Sequence, residues 1–391
     1  MGKIITFLLY SLVIYLSVMF IDMADKNIKG TKKNYKFYIF FFISIIMPCL
    51  LAGMRGDTVG VDIKTYSKPM YELAMNMSSL FDYIKINRVE MGFSTLVYVS
   101  TKLTHSIFGV HFAIALFQIL PVYFTALLYR EKFPMRWPVF VYYCIFYLMG
   151  FNVMRQCISC GFILLAFVLF FKKKYLMLAV CIGIAILFHS SAAIGVAIVF
   201  CGYVLYRIKN KNVRNFIIFF VAVFLVVAIV KWEALATYLI SKGYINDYTE
   251  YIAIMNGTSS AKAYMHYIDK TGVVESVYKI IFILIPLMTI VFSKRKNMNK
   301  ENITVAVVCV FSVAIYWIVF LLLKTVYIYR ITTFGEYFYI LFIPLAFNGK
   351  RYYRGLYTTK NNLVISLLLL SYVMIAYSWL NSHGVTPFVL L

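Results

Sequence analysis

The chain has 391 residues, of which 63% are hydrophobic and only 14% are charged, and its formal net charge is +23. Its mean hydropathy of +0.83 excludes a soluble domain, whose apolar share is about half. We therefore predict a polytopic membrane protein. The positive charge is interpreted as an orientation signal, because lysine and arginine concentrate in cytoplasmic loops of such proteins, and we expect no nucleic-acid partner.

Twelve apolar stretches approach the roughly 20 residues that a helix needs to cross a bilayer. They lack the alternation of barrel strands, so we predict an all-α fold with about 12 transmembrane helices in a single polytopic domain over residues 1–391. Residues 1–21 are expected to be a retained helix, since no cleavage site precedes Asp22. The predicted crossings are 4–21, 37–54, 107–129, 138–152, 156–171, 175–188, 190–207, 214–231, 276–293, 302–323, 331–347 and 363–380.

The short loops between these crossings are strongly basic. Together they carry 23 of the 38 Lys and Arg residues, which places them in the cytoplasm. The long loops 55–106 and 232–275, and both termini, are then extracytoplasmic. The basic loops are 22–36, 130–136, 172–174, 207–214, 294–300 and 348–362.

The first long loop combines ionisable and turn-forming residues where the membrane meets water. It begins Arg55-Gly-Asp57-Thr-Val-Gly-Val-Asp62 and continues to Tyr66. Arginine suits phosphate because its planar donors stay charged and match oxyanion geometry, although a lone arginine here is more often a membrane anchor. We expect helices at the interface in 69–89 and an interfacial or re-entrant segment at 91–104, which implies a cavity open to the outer side.

Further polar residues from other parts of the chain are predicted to lie at the same depth, where the membrane meets water. Ionisable groups near the membrane are costly, usually face a cavity and mark function. For each of them alone, an anchoring residue or a capped turn is the simpler explanation. These residues are Glu90 directly before the segment 91–104, Arg155 and Gln156 in a hinge between two crossings, His189 in a tight turn, Arg330 at the end of a short loop, and Glu336 in the helix that follows.

The order of these motifs resembles the EpsG family, a relative of the Wzy-type O-antigen and capsule polymerases. The resemblance covers about 280 residues, and the chain departs from it at Ile63, where such proteins often have Tyr, and in the outer loop 232–275. The motifs are Arg55-Gly-Asp-Thr-Val-Gly-Val-Asp62 with Tyr66, Glu90-x-Gly92-Phe93, Asn152-x-x-Arg155-Gln156, Phe188-His189-Ser190 and Tyr329-Arg330.

The resemblance implies an enzyme of the bacterial cytoplasmic (inner) membrane with the architecture of a C-type (GT-C-like) glycosyltransferase. Such a polymerase joins undecaprenyl-diphosphate-linked oligosaccharide repeat units at the outer leaflet, with no cofactor and no metal. A lipid bilayer, a chain-length regulator and a flippase are the partners it implies.

The residues suggest roles in this chemistry. Arg155 and Arg330 would hold the diphosphate, because fixed cations stabilise the charge of a leaving group. Arg55 would join them or fix the loop through Asp57 and Asp62. An acceptor hydroxyl needs a base, and His189, Asp62 and Glu90 are equal candidates. The remaining substrate-binding candidates are Tyr66, Gln156 and Glu336.

Three other enzyme or transporter classes compete with this interpretation, and a pure binding or structural role stays open. A flippase for lipid-linked oligosaccharides would place charge deep in a central cavity, often with internal repeats, and the sequence shows no repeat. A glycosyltransferase that uses polyprenyl-phosphate sugars commonly carries a metal-binding Asp-x-Asp or Glu-x-Asp motif, for which Asp57 and Asp62 are too far apart. A membrane O-acyltransferase is disfavoured because no histidine has an aspartate five positions later.

Overall fold

The computed structural model describes residues 2–30, 32–87, 89–210, 274–287, 300–310, 327–348 and 357–391, with a few single positions between 212 and 223. Over these residues the chain is almost entirely helical, which confirms the all-α class. The strands among them are two residues long and pair Ile28–Lys29 with Lys32–Lys33.

Fifteen helices are labelled here in chain order. They are α1 (Lys3–Lys26), α2 (Tyr35–Gly53), α3 (Lys68–Asn76), α4 (Leu80–Asn87), α5 (Met91–Thr104), α6 (Ile107–Leu128), α7 (Arg136–Tyr142), α8 (Met154–Phe171), α9 (Tyr175–Phe188), α10 (Ala192–Arg207), α11 (274–287), α12 (300–310), α13 (Tyr327–Glu336), α14 (Tyr339–Asn348) and α15 (Tyr357–Tyr372).

Four of the described helices, α1, α2, α6 and α8, are long and apolar enough to cross a membrane. Helix α8 lies at the centre: 83% of its most apolar stretch is buried, against 28% for α1. It packs against α6, α9 and α10, while α1 packs against α2. The protein is therefore a helical membrane protein in which α8 contributes most to the core.

Within the described residues, two predicted crossings are interrupted in their interior by turns. The stretch 138–152 forms α7, a π-helical turn over Tyr143–Tyr147 and a 3-10 turn over Met149–Phe151. Backbone carbonyls freed by such a break need partners in an apolar interior. The side chain of Gln118 is such a partner, because its amide nitrogen donates to the carbonyl oxygens of Gly150 at 3.0 Å and Met154 at 3.2 Å.

The second irregular crossing is 331–347, which was predicted as one helix. It divides into α13 and α14, with a turn at residues 337–338. The predicted short loop before it was also wrong in part, because residues 327–330 belong to α13. Hydropathy cannot reveal this break, since the turn itself, Tyr337 and Phe338, is as apolar as the helices beside it and is fully buried.

The two ends of the bundle differ in chemistry. At one end the basic loops meet acids: Arg130 Nε lies 3.2 Å from Asp25 Oδ1, and Lys132 Nζ lies 2.6 Å from Glu301 Oε2. We call this the Arg130 end. These contacts confirm that loops 22–36 and 130–136 share an end of the bundle.

The other end, called the Arg55 end, gathers the two chain termini and the loop after α2. The Gly56 amide donates to the Val389 carbonyl at 2.7 Å, and the Phe388 amide donates to Thr6 Oγ1 at 3.0 Å. Since α1 runs from Lys3 to Lys26 and spans roughly 36 Å at 1.5 Å per residue, the two ends lie on opposite sides of the bundle.

We predict that Asp25→Asn lowers the stability of the protein by about 1–3 kcal/mol, because it leaves the mostly buried Arg130 without its carboxylate. Asp25 also accepts the Met135 amide at 3.3 Å. Thermal unfolding in detergent measures the change. Glu131→Gln is the control, since Glu131 is 80% exposed and lies 3.8 Å from Lys172, and such exposed pairs contribute little. Equal melting temperatures for the two variants would contradict the prediction.

Candidate functional site

The candidate site forms at the Arg55 end, where the irregular turn 149–151 leads into α8. Arg155 lies in the first turn of α8, where unpaired amides and the helix dipole favour a negative charge. Its guanidinium carbon lies 4.2 Å from the centroid of the Tyr66 ring, and its Nη1 donates to Glu90 Oε2. Arg155 is therefore held on two sides, by a ring face and by a carboxylate.

Glu90 connects three separate segments. It precedes α5, pairs with Arg155 of α8, and accepts the Ser190 amide through Oε1 at 3.4 Å. The two side chains of the ion pair are 17% and 20% exposed. The pair is thus mostly shielded from solvent and still open on one side.

Gly92 explains how Glu90 comes so close to the turn after α9. A Cβ on Gly92 would lie 2.7 Å from the Leu187 carbonyl oxygen, a distance that real side chains do not reach. The glycine of the Glu90-x-Gly92-Phe93 motif therefore permits the backbones of α5 and α9 to touch.

The protonation of Glu90 follows from its neighbours. Burial alone would raise its pKa, but the charges of Arg155 and His189, with hydrogen bonds from Arg155 and from the Glu90 backbone, lower that pKa below its usual range. Glu90 is therefore ionised at neutral pH. A carboxylate held in this way is a weak proton acceptor.

His189 lies in the tight turn predicted from the sequence, between the end of α9 at Phe188 and the start of α10 at Ala192. Its Nδ1 accepts the Ser191 amide at 3.1 Å and lies 2.7 Å from Ser191 Oγ. The structure therefore places His189 beside Glu90 and Arg155, and the turn fixes the orientation of its ring. We call this group of side chains, together with Tyr66, the mouth.

Arg55 occupies a different environment from Arg155. It is 1% exposed, its guanidinium carbon lies 4.4 Å from the Phe151 ring centroid, and its Nη2 lies 3.9 Å from Met154 Sδ. Burial lowers its pKa to about 10, and Asp62 is among the groups that oppose this shift. The cation thus contacts residues on both sides of the hinge, and the expected joining of Arg55 with Arg155 in one cluster is not observed.

The acids of the first loop have separate neighbours. Asp57 pairs with Lys68 instead of Arg55, and both side chains are 42% exposed, so the expected role of Asp57 in fixing Arg55 is corrected. Asp62 directly precedes a π-helical turn, Ile63–Ser67, which carries Tyr66. This loop therefore places the Tyr66 ring against Arg155 and the charge of Asp62 near Arg55.

Glu336 was expected to join the same group, and its described partners are Lys279 and Thr332. Its Oε1 is 2.7 Å from Lys279 Nζ and accepts the Thr332 hydroxyl at 3.0 Å, with side-chain exposures of 3% and 7% for the ion pair. Gln156 is fully buried in the first turn of α8. The side chain of Arg330 and residues 232–273 of the second loop lie outside the described part of the chain.

A second polar group at this end was missed by the sequence analysis. Asn152 Nδ2 lies 3.3 Å from His383 Nδ1, His383 Nε2 lies 3.7 Å from Glu275 Oε1, and Ser382 donates to the same carboxylate. Asn381 and His383 have positive φ angles of 55° and 65°. These partners lie 107 to 231 positions apart in the chain, so no local pattern could have found them.

The described residues contain no group of three His, Cys, Asp or Glu side chains placed to hold a metal ion. The side chains around Arg155 offer two kinds of chemistry. A cation at a helix N-terminus beside a backbone turn can bind phosphate, and nearby carboxylates and an imidazole can move or hold a proton.

Comparison with known families gives one match. The model of the EpsG family matches residues 38–390, which is nearly the whole chain and includes every residue of the mouth. No curated protein and no solved structure matches the chain.

We predict that Gly92→Ala lowers stability by about 1–3 kcal/mol, because the new methyl group would overpack against the Leu187 backbone. Gly183→Ala is the matched control, since a Cβ on Gly183 meets nothing within 4 Å and alanine favours a helix by up to ~1 kcal/mol over glycine. Thermal unfolding in detergent compares the two. If the melting temperature of Gly92→Ala equals or exceeds that of Gly183→Ala, the close approach of α5 and α9 is wrong.

Proposed function

Because the chain belongs to the EpsG family, we propose that it is a polysaccharide polymerase of the bacterial cytoplasmic membrane. It joins undecaprenyl-diphosphate-linked oligosaccharide repeat units on the outer leaflet. Membership in the family and the apolar helices establish the coarser statement, a membrane protein of polysaccharide biosynthesis. The polymerase activity, the lipid substrate and the leaflet belong to the proposal.

The observation that supports the proposal best is the arrangement around Arg155. This cation sits in the first turn of α8, against Tyr66 and beside Glu90, with its side chain 17% exposed. A diphosphate leaving group gains negative charge as the glycosidic bond breaks, and a fixed cation at low dielectric stabilises that charge. The amides of the first turn of α8 add to the same effect.

The reaction assigned to this mouth is a glycosyl transfer. The acceptor hydroxyl oxygen bonds to the anomeric carbon of the donor glycan while the bond from that carbon to the diphosphate oxygen breaks. The hydroxyl proton passes to a base of the site, and undecaprenyl diphosphate leaves as the anion that Arg155 binds. His189 and Asp62 are the candidate bases, with Glu90 a weaker candidate because its pairing with Arg155 helps to lower its pKa, and no step needs a metal or cofactor.

Short helices at the Arg55 end provide a route for the lipid. Phe81 of α4 is 66% exposed, Ile86 is 57% exposed and Leu103 of α5 is 77% exposed. Apolar side chains of short amphipathic helices insert into the acyl boundary of a bilayer. We propose that they face the outer leaflet and admit the polyprenyl chain sideways, with a flippase supplying the substrate and a chain-length regulator acting on the product.

A flippase for the same lipid is the second candidate function, and a polyprenyl-phosphate-sugar glycosyltransferase is the third. The flippase is favoured by the buried ion pair between Lys279 and Glu336, because charges enclosed among transmembrane helices commonly mark transport pathways. Purified protein with a defined undecaprenyl-diphosphate oligosaccharide, without added metal, separates the candidates. A ladder of longer products identifies a polymerase, and transport across vesicles without a ladder identifies a flippase.

We predict that Arg155→Ala reduces ladder formation by at least about 100-fold, the loss typical of removing one group that stabilises an oxyanion. Arg136→Ala is the matched control, because Arg136 pairs with Asp22 at the Arg130 end and is 39% exposed. Product length on gels measures activity, and quantitative blotting of membranes confirms equal abundance. Long-chain product from Arg155→Ala at the level of Arg136→Ala would remove Arg155 from the diphosphate site.

A further inference from the structure

We infer that His383 is a positioning residue for Arg155. Through its contact with Asn152 it holds residues 149–153, the hinge that leads into α8, and so fixes the place from which Arg155 projects. His383 itself touches no substrate in this role. The inference rests on the proposed function for what Arg155 binds, whereas the hold on the hinge is independent of that function.

The contact with His383 acts directly on the hinge backbone. Asn152 follows the 3-10 turn Met149–Phe151 and stands three residues before Arg155. Its Nδ2 lies 3.3 Å from His383 Nδ1. The backbone amides of Asn152 and Val153 both donate to the Met149 carbonyl, at 3.0 Å and 2.9 Å. A side chain that holds Asn152 therefore holds the residues that set where α8 begins.

The far side of the His383 ring is held as well. Its Nε2 lies 3.7 Å from Glu275 Oε1 at the start of α11, and the two side chains are each 9% exposed. Ser382 donates to the same carboxylate, and the Tyr377 ring centroid lies 6.0 Å from that of His383. The ring is thus a buried spacer between α11 and the hinge.

The backbone that carries His383 is strained. The φ angles of Asn381, His383 and Gly384 are 55°, 65° and 66°, a region that non-glycine residues adopt only at a cost. Hydrogen bonds stabilise the turn: Asn381 Oδ1 accepts the Thr386 amide at 2.7 Å, and the Gly384 carbonyl accepts the Gly60 amide at 2.9 Å. Strain that is kept by surrounding contacts is typical of segments that place a functional group.

Two segments hold successive residues of the hinge. Arg55 lies against Phe151, with its guanidinium carbon 4.4 Å from the ring centroid, and His383 binds Asn152. The Gly60–Gly384 hydrogen bond joins the two segments to each other. A shift of Asn152 would therefore move the first turn of α8, and displacement of a reacting group by about 1 Å can slow a reaction by up to about 100-fold.

Three variants test the role of His383. His383→Leu keeps an apolar side chain of similar size and removes both ring nitrogens. His383→Asn tolerates the positive φ and keeps an amide, which can donate to or accept from Asn152. His105→Leu is the matched control for backbone strain, because His105 is exposed and has a φ of 51°.

Hydrogen–deuterium exchange of purified protein in detergent measures the hinge without any substrate. We expect His383→Leu to speed exchange of the amides in residues 149–157 by about 5-fold, the effect of losing one hydrogen bond of ordinary strength. Exchange in His383→Asn and His105→Leu should stay within about 2-fold of the wild type, given their retained contacts. Unchanged exchange of this peptide in His383→Leu would overturn the inference.

Kinetics of ladder formation separate positioning from a general loss of structure. We expect His383→Leu to lower kcat by about 10-fold with little change in KM, because a displaced Arg155 loses interactions with the transition state. His383→Asn should restore most of that loss. In an Arg155→Ala background, His383→Leu should have little further effect, since both substitutions then act through the same group.

Two kinetic results would contradict the inference. If His383→Asn is as slow as His383→Leu, the contact with Asn152 is not what matters. If His383→Leu costs as much in the Arg155→Ala background as in the wild type, it acts independently of Arg155. Should the wild type make no ladder, the proposed function fails, and the exchange measurement alone still decides whether His383 holds the hinge.

Discussion

The ion pair between Glu90 and Arg155 is the interaction on which the mouth depends. It ties the start of α5 to the start of α8, and the second oxygen of Glu90 ties both to the turn after α9. Because the pair is only about one-fifth exposed, loss of either partner would leave a poorly hydrated charge, which costs much more than the loss of a surface salt bridge. The same pair lowers the pKa of Glu90 and so keeps the charges fixed.

Arg55 secures the hinge that carries Arg155. Its contacts with Phe151 and Met154 lie on both sides of the break between the 3-10 turn and α8. The loop that carries it is bound to the C-terminal segment through the Gly60 amide, which donates to the Gly384 carbonyl at 2.9 Å. Gly60 has a φ of +99°, and a Cβ there would lie 2.5 Å from the Phe151 carbonyl oxygen. Only glycine allows the loop to lie so close to the hinge.

The sequence predicted the elements of this site better than their contacts. The all-α class and the turn at His189 were predictable because apolar runs and their interruptions are local properties of a chain. The sequence did not allow us to predict that Asp57 pairs with Lys68 or that Glu336 pairs with Lys279. Any of several cations would satisfy a given carboxylate, and the fold alone decides which one is near. Contacts between residues far apart in the chain, such as those of His383, give no signal in one sequence.

The geometry of Arg155 shows how a paired arginine can still bind substrate. A guanidinium has five N–H donors in one plane, and Glu90 is bound through Nη1. The Tyr66 ring lies against the guanidinium carbon, which is 4.2 Å from the ring centroid. Under the proposed function, a phosphate would bind through the other N–H donors while the pair with Glu90 stays intact. In the proposed reaction the cation would already be oriented before the substrate arrives, so little reorganisation would remain for the transition state, and preorganised charge of this kind is the main source of electrostatic catalysis.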